Sequence, residues 1–269
     1  MMKTNQLSMD IQVYPPEVQG RGAFDGGRIT EIKPIGFPHE GPMPPNLGPL
    51  FYWAWAVADG YGKIALHPHK AFEIMSYALK GEIGHYDTLG HKSRVKAGGA
   101  QVMQTGSGVA HEEETLGDRT ELFQIWFEPD LQQAVKKTPT YREFPHEVFP
   151  VATRDGVSIK TVIGPKAPVT LVTDAAMQDI AIQPGKNFER DLSVSRSLAI
   201  VVISGRGFLL DEAAGVKTKL QEKDFAVVHA KSQGKISFHA DPGSEFRLAV
   251  IEVPAAVDYP LYRNGGVRI

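Results

Sequence analysis

Cysteine is absent from the 269-residue chain. That excludes disulfides, thiolate metal sites and a cysteine nucleophile, so any metal must be held by histidine and carboxylate groups. Blocks of one charge sign are missing as well. The 29 basic and 31 acidic residues are interspersed, for a formal charge of -2, and no direct nucleic-acid binding is expected. No run approaches the roughly 18 apolar residues of a transmembrane helix, and the opening MMKTNQLSMDIQVYPPEVQG lacks the apolar stretch of a signal peptide. A soluble cytoplasmic protein without membrane contact is the expectation. Helix signals are sparse. The best is Asp130 to Lys137 (DLQQAVKK), where Asp130 after Pro129 suits an N-cap.

What is present points to strands. The 27 glycines and 19 prolines are spread throughout, between short β-rich runs: Ile74 to Leu79, Gln101 to Gln104, Glu121 to Phe127, Val157 to Ile163, Val169 to Val172, Leu198 to Ile203, Phe225 to Val228 and Phe246 to Val253. Regular short strands separated by turn residues predict an all-β sandwich or barrel. A faint internal repeat doubles that unit. YALKGEIGHYDTLGHKSRVK from Tyr77 and VVISGRGFLLDEAAGVKTKL from Val201 both carry a strand ending at glycine (Gly81, Gly205), with an aspartate six residues later (Asp87, Asp211). Two domains are therefore predicted, 1–145 and 146–269, joined through Tyr141 to Arg154. The N-terminal forty residues, with Pro15-Pro16 and Pro38 to Pro45, are expected to drape over the barrels.

Chemistry concentrates in two short motifs. His67 and His69 flank Pro68; in an extended strand such residues share a face, with Cα atoms about 6–7 Å apart. Two imidazoles so placed can converge on one ion, and Pro68 suits a strand edge. Some forty residues on, His111 and Glu113 repeat the two-residue spacing after the glycine-rich turn Gly106-Ser107-Gly108. Three neutral imidazoles and a carboxylate suit Fe(II), Mn, Ni, Cu or Zn. Glu73 competes with Glu113 for the fourth place by strand parity with His67 and His69.

The segments HPHKAFEIMSYALKGEIGHYDTLGHK and GGAQVMQTGSGVAHEEE resemble the pirin family of bicupins, with ELFQIWFEP extending the likeness to about Glu128. The resemblance implies two tandem cupin (jelly-roll-like) β-barrels, a metal held by His67, His69, His111 and Glu113, and Fe(II) as the first choice of ion. Glu73 is then structural or orients a ligand histidine. The family further implies a quercetin 2,3-dioxygenase-like activity on a flavonol-type aromatic substrate with dioxygen, in which Glu113 is also the catalytic base. The alternative is a regulatory protein, a transcription cofactor whose metal state controls binding of a protein partner. Lys70-Ala71 stands where the family has Arg-Gly, and Gly98-Gly99-Ala100 where it has a Gly-Asp turn.

Phe72, Met75, Met103 and Trp126 are expected as apolar pocket walls. Gln124 is open to two readings, facing the pocket or satisfying a backbone group. His39, His85, His91 and His146 are expected at the surface. In the second domain, the places of His67 and His69 fall near Asp191 and Ser193, and that of His111 near Ile236 to Phe238. His229 and His239, ten apart, are expected to be ordinary side chains, and no metal is expected there.

Overall fold

The computed structural model describes residues 8–37, 40, 44 and 46–262. The all-β expectation is met. The helix near residue 130 is a single turn, Leu131–Ala134, and Asp130 caps it by accepting from the Gln132 amide. Among the described residues, no helix is long and apolar enough to cross a membrane.

Contacts divide the chain into two units. The first unit holds Val18–Phe149, Pro168–Thr173 and the residues from Val257; the second holds those up to Glu17, Pro150–Ala167 and Asp174–Ala256. The chain thus passes between the units more than once, where a single junction at 145/146 was expected. The cause is strand pairing at long range: Met9–Tyr14 pairs antiparallel with Phe225–Ala230, and Asp211 accepts the Ser8 and Met9 amides at 2.9 Å each. Part of the N-terminal region is therefore an edge strand of the second unit. Pro38 and Pro45 lie outside the described residues.

In the second unit a seven-stranded sheet, Met9–Tyr14 to Val151–Arg154, and a four-stranded sheet of Asn187–Leu192, Gly234–Ala240, Arg206–Asp211 and Val216–Gln221 share one apolar core. Leu198, Ile200 and Val250 come from one sheet, Leu209, Ile236 and Phe238 from the other. Val169–Val172, expected as a strand, is not one.

In the first unit the path runs Thr140–Phe144, Ala100–Gln104, Glu73–Asp87, Val109–Phe127, Leu50–Asp59, Ile29–Ile35 and Gly20–Phe24. Gly62–His69 joins Val109–Phe127, and Lys92–Lys96 joins Glu73–Asp87. The central strand Val109–Phe127, 19 residues long, pairs with Gly62–His69 in its first half and Leu50–Asp59 in its second. Strand Glu73–Asp87 does not end at Gly81 as the repeat suggested; it bends there. Gly81 has φ +71°, and an added Cβ would lie 2.6 Å from the Arg119 carbonyl oxygen, so the corner admits no side chain.

Candidate metal centre

Strand alternation builds the site. Among the described residues Gly62–His69 pairs only with Val109–Phe127, which makes it an edge where Pro68 removes no needed donor. In that ladder His67 stands opposite His111. The pleat aims His67, His69 and His111 to one side, and one ring nitrogen from each lies within 4.8 Å of the others. Ring centroids are 4.7 Å apart for His67 and His69, 4.5 Å for His67 and His111, and 5.0 Å for His69 and His111.

These rings fit a cation. Both nitrogens of buried His111 lack a hydrogen-bond partner, a state that is costly unless something else takes up a lone pair. The Ala65 carbonyl oxygen is 2.8 Å from His67 Nδ1, which places the proton there and leaves Nε2 to bind. Burial, reinforced by the neighbouring rings, lowers the His69 and His111 pKa values to about 3. Both rings are therefore neutral at ordinary pH, as ligands must be.

Glu113 stands outside that close set. Its Oε1 accepts from Ser76 Oγ at 3.0 Å and Gln101 Nε2 at 3.3 Å, and its Oε2 from Gln124 Nε2 at 2.8 Å. Three donors leave about one of the carboxylate's four lone-pair sites for a proton or a cation. Gln124 thus faces the site and holds Glu113, which settles its two readings. Such a clamp joins strands remote in sequence, so no local pattern announced it.

Glu73, the competing acid, touches no histidine. It is buried and accepts from the Val172 and Thr173 amides at 2.7 and 2.9 Å and from Gln104 Nε2 at 2.7 Å. Ala71, with φ +73°, turns the chain between His69 and Glu73, so strand parity does not carry across. Of the two roles expected for Glu73, its contacts fit the structural one, pinning segment Pro168–Thr173, and not the orienting of a ligand histidine.

His85 also departs from expectation. It is only 4% exposed, its ring stacks on Tyr141 at 3.9 Å, and it lies 5.4 Å from His111 between centroids. Alternation explains this, since Ile83, His85 and Asp87 share the inward face. Asp87 binds His85 Nε2 at 2.9 Å and His91 Nδ1 at 3.0 Å. Burial pushes the Asp87 carboxyl up, but the hydrogen bonds from both histidines outweigh it and hold it below its usual range. His91 and His146 are exposed, and His39 lies outside the described residues.

A cavity of about 670 Å³ opens onto His67, His69, Glu113, Gln124 and Trp126. Trp126 meets His69 edge to face at 4.8 Å. Phe72, Met75 and Met103, expected as further walls, are buried away from this cavity, Phe72 and Met103 within an apolar cluster. Two residues that the sequence reading missed, Glu31 and Lys33, line it instead. Their signal was alternation: Ile29, Glu31 and Lys33 are all buried and two apart along one strand.

In the second unit, His229 Nδ1 meets Ser197 Oγ at 2.9 Å, and His239 stacks on Phe208 at 4.5 Å. The two histidines sit on strands of different sheets.

The family model named Pirin matches residues 55–127. A pirin-like protein of Caulobacter vibrioides is 30% identical over 181 residues, 61% of this chain and 75% of that protein. A Zymomonas mobilis protein, provisionally named a quercetin 2,3-dioxygenase, is 34% identical over 164 residues, 60% of this chain and 67% of that one. Matches to such curated relatives take in between 45% and 75% of their lengths. Among solved structures, the Escherichia coli bacterial pirin YhhW in complex with nickel(II) is similar with a TM-score of 0.73 and 24% identity, over 91% of this chain and 99% of that one. The likeness gives each unit the cupin fold.

Proposed function

From the premise that this chain belongs to the pirin family, we propose that it is a metal-dependent dioxygenase acting on a flavonol-like aromatic substrate. The observation that carries this reading is the convergence of His67, His69 and His111, two of which, His67 and His69, line a 670 Å³ cavity together with Glu113 and Trp126. The provisional name of the Zymomonas relative supports the reaction class, and the nickel-bound pirin supports a single divalent ion.

His67, His69 and His111 would hold the ion, with Glu113 as the fourth group; Fe(II) is the ion proposed. When bound, such an ion supplies Lewis acidity that lowers the pKa of the flavonol 3-hydroxyl. The remaining work falls to the chain. With substrate present Glu113 turns its one remaining lone pair from the ion to the 3-hydroxyl and accepts that proton, as a general base within hydrogen-bond reach. Ser76, Gln101 and Gln124 fix that carboxylate before substrate arrives, so little orientation is left to arrange in the transition state. Trp126, Phe37 and Tyr52 flank a flat ring and keep water from it. The reaction consumes one dioxygen. Both its atoms stay in the ring-opened ester, and the carbon bearing the 3-hydroxyl leaves as carbon monoxide.

The test uses purified protein with its metal content measured. Loss of the flavonol absorbance band with stoichiometric carbon monoxide is the expected result. One metal per chain without flavonol turnover would overturn the enzyme reading and favour the regulatory one.

A further inference from the structure

The cavity has a second polar wall, apart from the histidines. Glu31 and Lys33 project into it from strand Ile29–Ile35 and are 6% and 5% exposed. Tyr52 donates to Glu31 Oε2 at 3.2 Å, and Lys33 Nζ lies 3.6 Å from the same oxygen. Room for both side chains comes from Gly22, which stands opposite Glu31; a Cβ there would sit 2.7 Å from Glu31 and 2.8 Å from Lys33. Glu31 and Glu113 also line one adjoining void of about 20 Å³, so the two carboxylates belong to a continuous interior.

The charge balance on this wall selects among polar groups. Lys33 is matched by two carboxylates, Glu31 and Glu40. Lys63, also on the cavity wall, is matched by Glu112 at 2.8 Å and Glu114 at 3.9 Å. Neither ammonium has charge to spare for an anion. Glu31, by contrast, keeps lone pairs beyond those that Tyr52 and Lys33 use. A neutral hydrogen-bond donor gains a charge-assisted bond there, whereas a second anion is repelled and desolvated without a partner.

We propose that Glu31, positioned by Tyr52 and Lys33, is a specificity-determining residue that binds a phenolic hydroxyl on the end of the substrate remote from the metal. The substrate class is thereby narrowed to aromatics hydroxylated at both ends and excludes analogues carrying a carboxylate at the far end. This inference rests on the proposed function for the orientation of the substrate, with its reacting hydroxyl at the histidines.

The experiment measures binding, not turnover, on metal-loaded protein by Trp fluorescence quenching. Three flavonols of equal ring skeleton serve as probes, with a hydroxyl, a hydrogen or a carboxylate on the remote ring. Wild-type protein is expected to prefer the hydroxylated probe by about tenfold or more over each of the others, the worth of one hydrogen bond to a charged group. In Glu31→Gln the preference over the unsubstituted probe should shrink to about twofold or less, with metal content unchanged. Tyr52→Phe, which keeps the ring, should reduce it by an intermediate amount. Equal binding of all three probes by wild type, no binding of any, or an undiminished preference in Glu31→Gln with full metal content overturns the inference. Set beside the carbon monoxide assay of the proposed function, selective binding without oxidation supports this wall while removing the dioxygenase reading. Oxidation without selectivity does the reverse.

Discussion

In the second unit Arg190 stands opposite Ile236, and Leu192 opposite Gly234. In the first, His67 stands opposite His111, and His69 opposite Val109. The equivalence continues across the interior. His85 faces Glu113 where Leu209 faces Phe238, and Ser76 lies between Gln101 and Gln124 where Ile200 lies between Ala226 and Val250. One strand arrangement therefore encloses a polar network in one unit and a continuous apolar core in the other. Burying large apolar side chains contributes about 1.5–3 kcal/mol each, while buried polar groups roughly break even and only when all are bonded. The first interior forgoes several kcal/mol of packing that the second, on the same frame, obtains. A departure from consistent apolar filling that is confined to one copy is the physical mark of a site.

Removing a ring from the polar set should break the comparison most completely. His111→Asn is expected to lower bound metal from about one per chain to below about a tenth and to cut turnover by at least about a thousandfold, by elemental analysis and flavonol absorbance. Full metal content in this variant would contradict the assignment. Glu113→Gln keeps the shape and removes the base. Turnover should fall by about 10²–10⁴ with metal largely retained, and wild-type rates would refute its role.

The reverse exchange sharpens the contrast. Phe238→Glu places a carboxylate among Ile236, Leu209 and Val250, which offer it no side-chain donor. It should cost at least about 3–4 kcal/mol in a denaturant titration; a cost under about 1 kcal/mol would mean that the second interior is as tolerant as the first. Acid supplies a milder probe. His69 and His111 bind protons near pH 3 when folded and near 6.5 when unfolded. Below 6.5 the unfolded chain takes up protons that these folded rings refuse. Stability of metal-stripped protein should therefore fall from pH 6.5 toward 3, by up to about 1.4 kcal/mol per pH unit for each ring. A His69→Asn/His111→Asn double variant should flatten that decline. The smallest effect is expected at Glu73→Gln, about 1–2 kcal/mol from weakened bonds to Val172 and Thr173, with metal content intact.

The histidine pairs were legible because i, i+2 spacing in a strand needs no tertiary information. The partners of Glu113 were not, since Ser76, Gln101 and Gln124 meet it only through sheet register. The second-unit places of His67 and His69 fall on Arg190 and Leu192, one residue before the expected Asp191 and Ser193. The offset between the copies is 123 residues at His67 but 124 at Gly81 and 125 at His111, and each such slip exchanges the inward for the outward face. His85 and the Glu31–Lys33 pair were hidden differently. Each obeyed alternation, but their polarity read as surface. Leu50–Asp59, buried along nearly its whole length, went unmarked as a strand because it has no alternation to read.

The most direct test is anomalous diffraction at the absorption edge of the ion found in the purified protein. One peak per chain, in contact with His67, His69 and His111 and with none near Arg190, Leu192 and Ile236, is the expected result. A peak elsewhere, or fully active protein with no ion among those three rings, would contradict the account.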